Sequence, residues 1–358
     1  MKTGRSLVEL AAEIERQAQS KKDYVADTRN LRMAAGGAAD VAPTLVMSNG
    51  TNTVMQIGSL AHRQIGERVG IPAKYYDRML VDAPDLLAQN VNAWFAREPE
   101  KRMVRTLDGT ARAFLSNRYQ RIDNANVAEV VLPVLAQTPG IEIVSAEITE
   151  RKLYIKAVTN AITGELKSRR VGDIVRAGLM VSNSEVGLGA VQVVPFFDFL
   201  ACLNGMVRMK QGMRSSHVGT ALDGDDTLAE LLADDTRKAL DRGVLLKVRD
   251  VVAAALNEVR FREALDLMQE QTTQVIGGDP AKSIELLADD FSLNDGERGS
   301  VLRHLIEGGD LSRYGLMNAV TRTAEDATTY DRATEIEALG GRLLDLPSAQ
   351  WARIAQAA

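Results

Sequence analysis

The sequence predicts an α+β protein, with an antiparallel β-meander core that holds one inserted helix, flanked by helical N-terminal and C-terminal segments. Three observations carry that expectation. Apolar residues recur at helical spacing near the N-terminus and again over most of the last third. Between residues 103 and 194 the pattern changes to alternation with period two, broken by turn dipeptides. Charge divides along similar lines: residues 1–100 carry 12 Lys and Arg against 12 Asp and Glu, 101–217 carry 16 against 10, and 218–358 carry 15 against 26. The chain is therefore read as an N-terminal helical and hairpin segment (1–100), a basic β-rich core (101–222) and an acidic helical segment (223–358).

In order along the chain, Leu7, Leu10, Ala11, Ile14 and Ala18 mark an amphipathic helix over 5–20. The stretch through Gly36-Gly37 to Pro43 is small and polar and reads as a flexible link. Thr44 to Ile57 holds two short apolar runs around Asn49-Gly50, a hairpin signal. Leu60, Ile65 and Val69 share one helical face, Gly70-Ile71-Pro72 breaks it, and Ala73 to Leu80 restarts it. This resembles a helix-turn-helix, but Tyr75, Tyr76, Met79 and Leu80 make the second helix too apolar to read bases, so packing is expected. From Met103 a strand leads into Asp108-Gly109, a strong hairpin turn, and returns over Ala111 to Leu115. Asp123-Asn124 is placed to cap a helix over 125–137. Strands are expected at 141–149, 152–159, 174–183 and 189–194, then a helix from Phe196 to Val207 and a long loop from Met209 to Asp226. From Thr227 the pattern is helical almost to the end.

Composition excludes several classes. One cysteine, Cys202, allows no intramolecular disulfide and fits a reducing compartment, so a cytoplasmic protein is expected. The first apolar residues are interrupted by Glu9, Glu13 and Glu15, unlike a leader, and no run approaches the roughly 18 apolar residues of a membrane helix. With three histidines and one cysteine, no zinc-ligand spacing exists, and no cofactor fingerprint is present. Ser182 to Gly189 is Gly-rich but matches neither a dinucleotide fingerprint nor a P-loop, and reads as a connection between strands. Cys202 with His217 lacks the local context of a nucleophile pair and reads as core.

The constellation that points to a ligand is basic. Arg105, Arg112, Arg118 and Arg121 lie on or beside the hairpin with Tyr119 among them, and Lys152, Lys156, Lys167, Arg169, Arg170 and Arg176 follow on later strands and a loop. Arginine forks suit phosphate oxygens, and a ring can stack on a base, so these residues are the expected nucleic-acid contacts. Two other readings stay open. Asp108, Asp123, Glu129 and Glu185 are candidate carboxylates for a metal-dependent DNA-processing enzyme. Alternatively, the basic core and acidic tail face each other within one molecule or between subunits of a scaffold.

The run from Arg105 to Asn124 resembles the start of the core of the phage/plasmid-like proteins of unknown function, a family carried on bacterial mobile elements. Gly178 to Gly189, Cys202 to Met206, His217 to Gly219, Tyr314 to Thr321, Tyr330 to Glu335 and Gly340-Gly341 are similar to the same pattern, together spanning most of residues 100–345. The resemblance implies a mobile-element context, and the hairpin, helix and meander are loosely similar to phage single-strand annealing proteins. Single-stranded DNA binding or annealing in DNA recombination, by a homo-oligomer, is the resulting expectation.

Overall fold

Leu31, Met33, Leu45, Met47 and Met55 are buried while their strand neighbours are not, and the face they share is the one that helices cover. The computed structural model describes residues 1–36, 42–48, 50, 52–167, 173–201, 204–210, 212–215 and 234–357. Within them the strands form two six-stranded sheets. Sheet one takes β1 (Lys22–Asp27), β2 (Leu31–Ala34), β3 (Thr44–Ser48), β4 (Asn52–Ile57), β5 (Lys101–Leu107) and β6 (Thr110–Ser116) in the order β1-β5-β6-β4-β3-β2. Its pairs are antiparallel except the short parallel pair β4–β6. Helices α2 (Ser59–Arg68), α3 (Ala73–Asp82) and α4 (Pro84–Arg97) bury Ile65, Tyr76, Met79, Leu87, Val91 and Phe95 against it. The helix-turn-helix-like pair is thus packing, as its apolar second helix suggested. Asn92 of α4 accepts from Met33 N and donates to Met33 O, both at 2.8 Å, so an amide closes part of the β2 edge.

Sheet two is the expected meander. β7 (Ile141–Ile148), β8 (Leu153–Leu166), β9 (Asp173–Asn183), β10 (Val191–Phe199) and β11 (Asn204–Val207) pair in sequence order, and β12 (Met213–Ser215) pairs with the start of β10. One face takes α1 (Leu7–Ser20), α5 (Asn124–Gln137) and α6 (Asp234–Ala255) onto Leu153, Ile155, Leu179, Val181, Val191 and Val193. The C-terminal helices α7 (Glu258–Gln271), α8 (Pro280–Phe291), α9 (Asp295–Gly308), α10 (Arg313–Arg322), α11 (Tyr330–Leu344) and α12 (Ser348–Ala355) pack around Val175, Phe197, Phe199 and Met206. Tyr330 of α11 joins Tyr154, Val158, Met180, Val194 and Phe196 on the other face. No helix among the described residues is long and apolar enough to cross a membrane.

Three sequence readings need correction. Phe196 to Val207 is not a helix but the end of β10 and all of β11. Both faces of β10 are buried, and a doubly covered strand gives a continuous apolar run that periodicity cannot separate from a buried helix. The stretch before Pro43 contains β1 and β2, which carry sheet-one core residues, although 37–41 lie outside the described residues. A boundary at residue 100 falls inside sheet one, because β5 and β6 join strands from the first 57 residues.

Helix α11 lies very close to its neighbours. A Cβ added at Gly341 would sit 2.2 Å from Val207 O, and one at Gly340 would sit 2.2 Å from Thr321 Cγ2. Alanine is the better helix former by about 1 kcal/mol, yet the contact leaves no room. Gly341→Ala is therefore expected to lower stability by about 1–3 kcal/mol, read as a lower urea midpoint with unchanged slope. A variant as stable as the parent would contradict this close approach.

Candidate nucleic-acid interface

The structure separates the predicted cations into two groups. The first is turned inward. Arg105 is fully buried on β5 and donates to Asp23 (2.8 and 3.1 Å), to Asp123 (2.5 Å) and to the carbonyl of Glu185 (3.0 Å). Burial opposes its charge, but Asp123 and Asp23 outweigh that and hold the guanidinium firmly protonated. A bulge explains its neighbour. Arg105 pairs with Ala113 but Thr106 pairs with Ala111, which leaves Arg112 as the extra residue. Such a bulge re-aims a side chain, and Arg112 meets the Glu185 carboxylate on the Arg105 side of the sheet. Lys21 completes the cluster on Asp123 and, at 3.8 Å, on Glu185. Lys156 is likewise fully buried, 2.5 Å from Glu337 of α11 and 4.8 Å from the Tyr330 ring centre. Arg176 is held by Asp198 and Glu142.

The carboxylates proposed for metal chemistry are explained by the same contacts. Asp123 occupies the cap position of α5 but gives its carboxylate to Arg105 and Lys21, and Glu185 accepts the Asn124 N–H at 2.6 Å instead. A negative side chain from a distant loop thus sits at that helix N-terminus. Asp108, with Gly109, has the positive φ of a primed hairpin turn and is bound by Arg16 and Ser20 of α1. Glu129 is exposed on α5. Among the described residues no group of three or more His, Cys, Asp or Glu is arranged to hold a metal ion.

The second group faces solvent. Lys152 sits in the turn between β7 and β8, next to exposed Arg151, with the exposed side chain of Arg214 on β12 close enough to repel it. Desolvation lowers the Lys152 ammonium below its ordinary value; Asp331 and Glu335 pull it back up, and Arg151 and Arg214 push it down by less. Its side chain lies over Gly189, where an added Cβ would come within 3.1 Å of Lys152 Cε. The turn and the 184–190 loop are locked together. Thr149 Oγ1 accepts from Arg151 N and Lys152 N, and Ser184 Oγ donates to Arg151 O at 2.8 Å. Tyr119 donates its hydroxyl to Ser184 O at 2.7 Å and packs against the cluster of Met103, Ala113, Leu115 and Val186, so it braces this loop. Exposed Arg118 and Arg121 flank it between β6 and α5, while Lys167 is exposed at the end of β8. Arg169, Arg170, Cys202 and His217 lie outside the described residues.

Sequence reasoning found Lys152 on this rim but not Arg151, Arg214 or Lys210. Arg151 was visible as the residue preceding a strand-initial lysine. Arg214 and Lys210 stood in a polar, Gly-rich stretch that gave no periodic signal; the pairing of β12 with β10 brings Arg214 to the sheet edge, and Lys210 follows the end of β11. The charge asymmetry between core and tail is met partly within the molecule, through Lys156–Glu337 and Arg208–Asp345.

Acid should loosen the inward cluster. Burial pushes the Asp123 carboxyl up, but Arg105 and Lys21 outweigh it and hold it below its ordinary value. Its stabilisation is therefore complete above the ordinary aspartate value near pH 3.9 and is lost as pH falls through the lower folded-state value. Asp123→Asn is expected to be less stable at neutral pH and to lose less stability than the parent on acidification, in urea unfolding across a pH series. The same acid dependence in both chains would contradict this role. Comparison with family models, with curated proteins and with solved structures found no match for this chain.

Proposed function

We propose that the chain binds single-stranded DNA along the rim formed by the β7–β8 turn, the 184–190 loop and the strand edge around β12. The observation that carries the reading is Lys152, whose side chain lies over Gly189 in a turn fixed by hydrogen bonds, with the exposed Arg151 beside it and the exposed Arg214 near enough to repel it. Lys210, four residues before Arg214, extends the positive edge by up to about 13 Å at strand rise. Only Lys152 of the original basic set lies in this cluster. Arg105, Arg112, Lys156 and Arg176 support the scaffold, and Tyr119 supports the loop. Affinity then rests mainly on phosphate contacts, which makes it tolerant of sequence and sensitive to salt. The sequence resemblance to mobile-element proteins is what suggests a role in phage and plasmid DNA metabolism, with strand annealing by several copies as the process such binding would serve.

Four phosphate contacts, from Arg151, Lys152, Lys210 and Arg214, give an expected slope of about −3 in log K against log salt for a single strand. Fluorescence anisotropy with labelled oligothymidylate over a salt series measures it. Arg151→Ala and Arg214→Ala should each reduce the slope by about 0.7, while Arg78→Ala on α3 leaves it unchanged. Absence of binding at low salt, or an unchanged slope in both rim variants, would overturn the reading.

A further inference from the structure

Beside Lys210 the rim opens into a groove of about 390 Å³ between the chain leaving β11 and helices α8, α11 and α12. Its walls are of two kinds. Met209, Phe291, Leu346 and Pro347 supply apolar surface, and Met209 is 44% exposed, so that surface is open to solvent. Lys210 and Arg342 supply charge at the mouth, and both are exposed. Arg342 carries its guanidinium 5.0 Å from the centre of the Phe291 ring. The one carboxylate among the lining residues, Asp345, is already taken by Arg208 at 2.7 Å. Two cations, Lys210 and Arg342, thus line an apolar slot whose one carboxylate is bound to the buried Arg208 and stands 3.9 Å from Lys210 Nζ. An apolar ligand would make no use of the exposed Lys210 and Arg342, and a simple inorganic anion would leave the slot unfilled.

We propose that this groove receives one nucleotide of the bound single strand, with its base in the slot and its phosphate between Lys210 and Arg342. The volume lies within the range of small-molecule sites, about 300–1,000 Å³. Bases stack on aromatic rings and on arginine planes, and both surfaces are present here in Phe291 and Arg342. Lys210 belongs to both features. It ends the positive edge and stands at the mouth of the slot, so a strand that follows the edge from Arg214 arrives at the groove. The groove also supplies an aromatic ring next to the positive edge, whereas Tyr119 is committed to bracing the 184–190 loop. This inference rests on the rim reading and adds a base-accepting site to it.

The test uses the full chain and an oligothymidylate in which 5-iodouracil replaces some thymines. After irradiation, crosslinked peptides are mapped by mass spectrometry, and affinities are measured by anisotropy. Crosslinks are expected on peptides containing Met209 or Phe291. Phe291→Ala should weaken binding by about five- to tenfold, the lower part of the range for one stacked base. Phe291 also touches the C-terminal core, so Arg342→Glu, at an exposed groove position that is not one of the rim contacts, provides a second variant and should weaken binding at least as much. If DNA binds but crosslinks fall only on peptides holding Arg151 or Arg214, and neither variant loses affinity, the groove assignment is wrong while the rim reading stands. If the parent does not bind at low salt, both fail.

Discussion

The structure depends on a buried ion cluster at the junction of its two sheets. Arg105 comes from sheet one and bonds to the backbone of Glu185, in the loop that leaves sheet two. Asp23 comes from β1, Asp123 from the start of α5, and Lys21 from the end of α1, so one knot joins four elements. Gln64 of α2 adds a neutral tie: its amide accepts from Phe114 N at 2.7 Å and donates to Val186 O at 2.9 Å. Replacing such a cluster with apolar residues can be neutral, but removing one partner strands the others and costs about 3–5 kcal/mol. Its ions are arranged for mutual satisfaction, which is why the most conspicuous arginines of the hairpin are unavailable to a ligand.

A second buried pair fastens the helical third. Lys156 lies in the middle of β8, where every residue from Leu153 to Thr159 is buried because helices cover both faces. A lysine there needs a partner, and Glu337 of α11 supplies it, with the Tyr330 ring alongside. The close approach permitted by Gly340 and Gly341 brings α11 near enough for that contact. Charge complementarity between a basic core and an acidic tail is in this part an internal fastening.

Much of the fold was legible in local signals. Asp108-Gly109 gave its hairpin, with φ of 51° and 76°, and the period-two runs gave β7 and β9 nearly to the residue but only the first half of β8, which runs on to Leu166. Helices α1, α2, α3 and α5 followed from their apolar stripes. Strand β10 with β11 was lost because double burial erases alternation, and the pairing of β5 and β6 with the N-terminal strands was lost because partner choice is not written locally. The candidate site was less legible still. Composition identified cations, but an arginine meant for a phosphate and one meant for an aspartate look alike in sequence. Only the placement of Asp23, Asp123, Glu185 and Glu337 separates Arg105, Arg112 and Lys156 from the exposed Arg151 and Arg214.

The scaffold and the rim are thus linked through one loop. The backbone of Glu185 anchors it to sheet one, Ser184 holds the turn of Arg151, and Gly189 lies beneath Lys152. The most direct test of this account uses the two tryptophans, Trp94 on α4 over sheet one and Trp351 on α12 in the C-terminal helices. Urea unfolding followed through each tryptophan alone, in Trp351→Phe and Trp94→Phe chains, should give coincident transitions when Arg105 is present. With Arg105→Met added, the Trp94 transition is expected to move to lower urea and separate from that of Trp351. Coincident transitions with an unchanged midpoint after loss of Arg105 would contradict the claim that this cluster joins the two sheets.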